Sequence, residues 1–319
     1  IADCASRVGK KSRISTKSLN KMMNLSLKDM KIIVWSWLML FVLVVTGCYK
    51  ENSPEPSLEP EAIYGKYTLP QGNHDYDPEI SEIYRKYGTL LLYRFEDKDF
   101  WWAVSSDIRW KYQEGIGTVG GYEATPADER YVGQQLELIK GKFLKYFPES
   151  FLNKALPLKM LLMSDLNYVP SQDNEPTDED RQFRHVYWGY DYMGVNWGNE
   201  NILTMTASER NAFKSEICTV FLENFYKKTK ESAVDFFAVS SYASGAGTSP
   251  SDGFVDASAN TPEKDWISFI RAIVSTPYED MVNGGILTNA KIRQKYDIMI
   301  DFFRQTYQID LQAIGNDVE

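Results

Sequence analysis

Thr206-Ala207-Ser208-Glu209 constrains the fold of this chain more than any other feature. A Thr followed three residues later by Glu can satisfy free backbone N–H groups at a helix start from its own side chains. Behind it Phe213, Ile217, Val220, Phe221 and Phe225 recur at helical spacing to about Tyr226. One stripe of a long helix must therefore be buried against something apolar. Thr89–Phe95, Leu158–Met163, parts of His185–Trp197 and Ile202–Met205 read as strands that can receive it. Further helices are expected over Asp77–Tyr87, stopped by Gly88, and over Asp128–Phe147, stopped by Pro148. Two more run from the Thr261-Pro262 cap to about Val274 and over roughly Asn289–Tyr307. The expected fold class is α+β, a mixed sheet packed on helices with a helical C-terminal part.

A chain of 319 residues with 43% apolar and 14% aromatic content can bury one or two cores. Its net charge is −9, unevenly spread: residues 1–47 hold eight Lys/Arg and two Asp/Glu, and the remainder carries 27 positive against 42 negative charges. Recognition of a phosphate backbone rests on Lys and Arg, so nucleic acid is not an expected partner. Three cysteines, Cys4, Cys48 and Cys218, are too few and too scattered for a disulfide framework. There are only two histidines, His74 and His185.

The first residue is Ile, and residues 1–29 are basic, polar and aperiodic; they read as an upstream extension, with Met22, Met23 or Met30 as the start. Residues 30–47 read as a signal peptide. The apolar run Ile32–Val45 spans 14 residues, short of the roughly 20 that cross a bilayer and suited to an h-region. It ends in Val45-Thr46-Gly47-Cys48, which resembles the lipobox of bacterial lipoproteins, with Cys48 as the lipidated residue; an uncleaved anchor with a chance Cys is the alternative. Residues 48–62 form a Pro- and Glu-rich tether that self-repels and stays extended, leaving 63–319 as the folded domain. The acidic residues after Cys48 resemble the surface-export signal of lipoproteins in glycan-foraging bacteria. The expected place is the outer membrane, lipid-anchored, at the cell surface.

Several motifs invite chemistry. Gly115-x-Gly117-x-x-Gly120 has the spacing of a dinucleotide fingerprint, but no clear strand precedes it and no helix follows, so Gly115–Gly121 reads as a loop. Asp173–Asp180 and Ala243–Gly253 read as loops too. In His185–Trp197, Trp188, Tyr190, Tyr192 and Trp197 form either a ligand-stacking platform or ordinary sheet packing. Cys218 sits mid-helix beside Ile217 and reads as an inert core thiol, since a nucleophilic Cys needs a helix N-terminus or an adjacent His⁺. Ser215 and Ser240 lack a nucleophile elbow.

Tyr76-Asp77-Pro78, Ile83–Thr89, Leu91-Leu92-Tyr93-Arg94-Phe95 and Asp99-Phe100-Trp101-Trp102 together resemble the opening of the substrate-import-associated zinc metallohydrolase lipoproteins, a zinc-binding metallopeptidase family encoded beside TonB-dependent importers. The resemblance extends over about residues 48–310. It implies a zincin-like metallopeptidase fold and a Phe-His-His-Glu-x-x-His helix, with a third ligand from a later Pro-x-x-Asp-aromatic-x-Glu helix. Here Phe213-Lys214-Ser215-Glu216-Ile217-Cys218-Thr219 stands at the first motif, and Pro262-x-x-Asp265-Trp266-Ile267-Ser268 at the second. Ser215, Thr219 and Ser268 occupy the ligand positions and Glu216 the general-base position. Imidazoles one helical turn apart can meet one Zn²⁺, whereas neutral hydroxyls are poor ligands for it. No cofactor is therefore expected. The reading is a catalytically inactive, lipid-anchored accessory of a TonB-dependent nutrient-uptake system that binds a peptide or glycan. The alternatives are an active zinc hydrolase with non-standard ligands, and a surface glycan-binding lipoprotein.

Overall fold

In the computed structural model the longest strand, β5, organises everything else. The structure describes residues 67–101 and 109–319. The upstream extension, signal peptide, Cys48 and the tether lie outside the described residues.

The chain enters through helix α1, Asp77–Tyr87, with Pro78 at its first turn, acidic residues at its start and Arg85 and Lys86 at its end. Gly88 closes it at φ 71°, a backbone conformation that costs any other residue a steric penalty. Strand β1 is Leu90–Leu92, shorter than the apolar run suggests because only these residues pair with a neighbour. After the short helix α2, Asp97–Phe100, come β2, Lys111–Gln113, and β3, Gly117–Val119, an antiparallel ribbon. The stretch expected to be a loop over Gly115–Gly121 is thus partly strand. Strand β4 is Gly121–Pro126.

The helix expected over Asp128–Phe147 is real but broken: α3 covers Val132–Lys142, and a 3-10 turn follows at Leu144–Tyr146. A short helix α4, Glu149–Ala155, then leads into β5, Lys159–Val169. The first half of β5 runs parallel to β1 on one side and to β8, Tyr192–Val195, on the other. This half is buried throughout, as a strand covered on both faces must be, hence the unbroken Met160–Met163 run. Its second half pairs antiparallel with β4 and with β6, Gln182–Phe183. Strand β7, Val186–Trp188, pairs antiparallel with β8 at the end of the strand order. The result is a mixed six-stranded sheet.

The expected strand over Ile202–Met205 is instead a 3-10 turn, Glu200–Thr204, started by the Asn199 side chain. The reason is local: Asn199 accepts from Asn201 N and pulls the backbone into a turn just before the next helix begins.

Helix α5, Ala207–Thr229, starts on the expected capping box, in which Glu209 N donates to Thr206 Oγ1 at 3.2 Å and Thr206 N to Glu209 Oε2 at 2.8 Å. Phe213, Ile217 and Phe221 are wholly buried. After α6, Val234–Ala238, helix α7 runs over Pro262–Ser275 from the Thr261 cap and lies along α5. Helices α8, Tyr278–Asn283, α9, Ala290–Tyr307, and α10, Leu311–Asn316, complete the helical C-terminal part. Helix α10 meets α7 so closely at Gly315 that a Cβ there would lie 2.2 Å from the Ile273 carbonyl oxygen. One continuous core joins the sheet face to these helices. Among the described residues no helix is long and apolar enough to cross a membrane.

Candidate functional site

Strand β7 lies over the middle of α5, and the contact between them contains Glu216. Helical spacing sends Phe213, Ile217 and Phe221 into the core, so Ser215, Glu216 and Thr219 face sideways off the same turns. The Glu216 carboxylate, half-buried, accepts a hydrogen bond from Val186 N at 3.2 Å. Tyr187 is the β7 residue that faces Gly194 of β8, and Val186 flanks it. The edge strand is therefore held down by a side chain from the helix beneath it. Burial pushes the Glu216 pKa up, opposed by the backbone N–H groups of Val186 and His185 and by Arg184.

The three positions expected to carry metal ligands behave differently from one another. Ser215 is half-buried on α5. Thr219 is only 6% exposed, and its hydroxyl has no hydrogen-bond partner. Ser268, on α7, spends its hydroxyl on the Asp265 carbonyl one turn back at 2.8 Å. Among the described residues no group of three or more His, Cys, Asp or Glu side chains is placed to hold a metal ion. Three hydroxyls, one of them committed to its own helix, do not fit the zinc that the family resemblance implies.

Lys214, at the first histidine of the family's run, turns the other way. It is 1% exposed and donates to the carbonyls of Ile314 and Asp317, both at 2.7 Å, capping the end of α10. Cys218 is fully buried, and burial raises its thiol pKa far above the ordinary range, so the inert reading fits its surroundings.

His185 does reach this part of the molecule, from the residue before β7. Its ring lies edge-on to Phe213 and stacks against Trp197, whose Nε1 donates to His185 Nδ1 at 2.8 Å. Burial lowers its pKa to about 4, with only a small opposing pull from Glu209. A neutral imidazole locked as acceptor to an indole is a packing element. His74 sits elsewhere, between Asp77 and Glu129 at 3.1 Å from each and stacked on Tyr76.

The aromatic platform does not assemble. Tyr192 is 1% exposed, with its hydroxyl donated to Phe100 O at 2.5 Å, and Trp197 is 6% exposed. Trp188 is half-buried, and of the four only Tyr190 is exposed, at 70%. Burial of β8 on both faces takes the Tyr192 ring into the core, and the stack on His185 takes in Trp197, so packing accounts for both rings.

One buried constellation was missed. Three residues before Ser268, Asp265 of α7 meets Lys295 of α9 at 2.5 Å, and neither side chain is exposed at all. Tyr242 donates to the same carboxylate oxygen at 2.6 Å, and Lys295 also donates to Gly253 O at 3.0 Å. The rings of Phe236, Tyr242, Phe254 and Phe269 surround the ammonium at 4.4 to 5.7 Å. Burial pushes Asp265 up and Lys295 down, each opposed by the other. The available signal was a Lys three residues after Ile292 and four before Met299, on the apolar face of its helix.

No family model matches the chain, and no curated protein matches it. Among solved structures, the chain is similar to a crystal structure described as a "putative zinc-binding metallo-peptidase" from Bacteroides caccae. The TM-score is 0.49 at 15% identity, over 76% of this chain and 91% of that one.

Proposed function

We propose that this chain is a lipid-anchored outer-membrane protein with a zincin-like body and no hydrolytic centre, acting as a binding or accessory component of a TonB-dependent nutrient-uptake system. One observation carries the reading: the three positions where the family carries its metal ligands hold hydroxyls, Ser215, Thr219 and Ser268, and Ser268 spends its hydroxyl on the Asp265 carbonyl. A general base in such a centre works on water held within hydrogen-bond reach by the metal. Glu216 accepts Val186 N–H through one oxygen, and no donor set beside it suits zinc. An antiparallel edge strand lying across the motif helix is compatible with a zincin-like arrangement. The membrane anchor rests on the apolar run and Cys48 of the sequence.

The test is metal content. The full chain, purified in detergent without chelator, should contain less than about 0.1 zinc per chain and should not cleave a peptide library. Near-stoichiometric zinc would overturn the reading. The combined variant Ser215→His, Thr219→His, Ser268→Glu should gain zinc; a folded variant that gains none shows that the motif is misaligned. Radiolabelled palmitate should enter the wild type and not Cys48→Ala.

A further inference from the structure

A second surface feature has no part in that site. Between the β2–β3 ribbon and the β4–β5 ladder opens a cleft of about 540 Å³. Trp110 and Tyr112 stand on one wall, and Glu123 and Asp165 belong to the strands opposite.

Trp110 and Tyr112 are two residues apart on an extended segment, so both rings project to one side. Trp110 Nε1 donates to Glu123 Oε2 at 2.9 Å, which fixes the plane of the indole, and Tyr112 is 40% exposed. Across from them Asn167 Nδ2 donates both to Glu123 Oε1 at 3.2 Å and to Asp165 Oδ1 at 2.9 Å, orienting two carboxylates side by side. The lining carries two basic residues, Arg109 and Lys111, and two acidic ones, Glu123 and Asp165, which nearly balance; Arg181 Nε also lies 2.8 Å from Glu123, and Arg109 lies 3.4 Å from Asp97 and over the Trp101 ring at 4.4 Å.

This is a concave surface with one indole held in place, a second ring beside it and oriented acceptors, with little net charge. A phosphate or a metal cation needs a net field of one sign, which paired charges cancel. A sugar matches what is present: the C–H face of a pyranose packs on an aromatic ring, and its hydroxyls donate to carboxylates. We infer that this cleft binds a neutral oligosaccharide. The inference names a ligand class for the binding role proposed above and rests on it.

Native affinity electrophoresis of the full chain, in a detergent without a sugar headgroup, tests it. The gels contain galactomannan, xyloglucan, mixed-linkage β-glucan, arabinan or starch, with polygalacturonate and a casein hydrolysate as controls. At least one neutral glycan should retard the wild type. The double variant Trp110→Ala, Tyr112→Ala should bind it about tenfold more weakly or worse, and Trp110→Phe should keep part of the retardation. Circular dichroism of each variant confirms that it is folded. Retardation by none of the neutral glycans, by the controls alone, or equally in the double variant overturns the inference. Zinc content stays the same under every one of these outcomes, so a failure here is separable from a failure of the non-catalytic reading.

Discussion

Helix α5 at Glu216 and helix α7 at Asp265 are neighbours in space that treat buried polarity in opposite ways. At Glu216 a half-buried carboxylate makes a bond to a neutral backbone N–H, and one turn on Thr219 keeps a hydroxyl with no partner at all. At Asp265 an ion pair is shut away from water: Oδ2 takes both Lys295 and Tyr242, Lys295 also donates to Gly253 O, and Oδ1 has no partner. An isolated buried charge is expensive, so removing either partner of a buried pair leaves the other uncompensated. The motif helix thus carries polar groups that the fold tolerates, while the helix beside it carries polar groups that the fold depends on.

The largest effect should come from breaking the ion pair. Asp265→Ala leaves the Lys295 ammonium buried without its counter-charge, and Lys295→Met does the converse; each should cost about 3–5 kcal/mol in urea unfolding. Losses near zero would erase the contrast.

Acid should come next, through His185. Its folded pKa of about 4 lies below the ordinary value near 6.5. As pH falls below 6.5 the unfolded chain takes up the proton first, so stability is full above 6.5 and falls until about pH 4. The loss should be on the order of 2 kcal/mol after screening of a partly exposed ring. His185→Gln, which keeps an acceptor for Trp197 Nε1, should flatten the difference in melting temperature between pH 7 and pH 4. Parallel curves for variant and wild type would show that the ring is not held neutral.

Smaller still is the Glu216 bond. Glu216→Ala should cost about 1 kcal/mol and speed hydrogen exchange at the Val186 amide, whereas Glu216→Gln, with an acceptor oxygen in place, should change both less. Exchange at Val186 unchanged in Glu216→Ala would mean that the helix does not hold the edge strand. The smallest effect carries the opposite sign: Thr219→Val removes an orphaned hydroxyl and should stabilise by up to about 1 kcal/mol. A clear loss instead would show that the hydroxyl has a partner.

How much of this was legible depended on how local the cause was. The α5 start was written in Thr206 and Glu209, the α7 start in Thr261 and Pro262, and both helices form there. The turn at Glu200–Thr204 was hidden because Ile202-Leu203 looks like a strand, while the cause lies in Asn199 just before it. Strand β5 continues to Val169 through Ser164 and Asp165, polar residues that look like a stop until β4 supplies the pairing. At the site, the identities of Ser215, Glu216, Thr219 and Ser268 were readable directly. The grip of Glu216 on Val186 was not, because it joins residues 30 positions apart.

By itself the sequence determined the helix starts, the α+β alternation and which donor atoms stand on the motif helix, since capping, periodicity and ligand chemistry act within a few residues. Only the tertiary structure decided that Tyr192 and Trp197 turn inward, that Lys295 finds Asp265, and that Trp110 bonds Glu123 and lines one cleft with Tyr112 and Asp165. Those outcomes depend on strand pairing and on burial shared between distant segments, which no local pattern encodes.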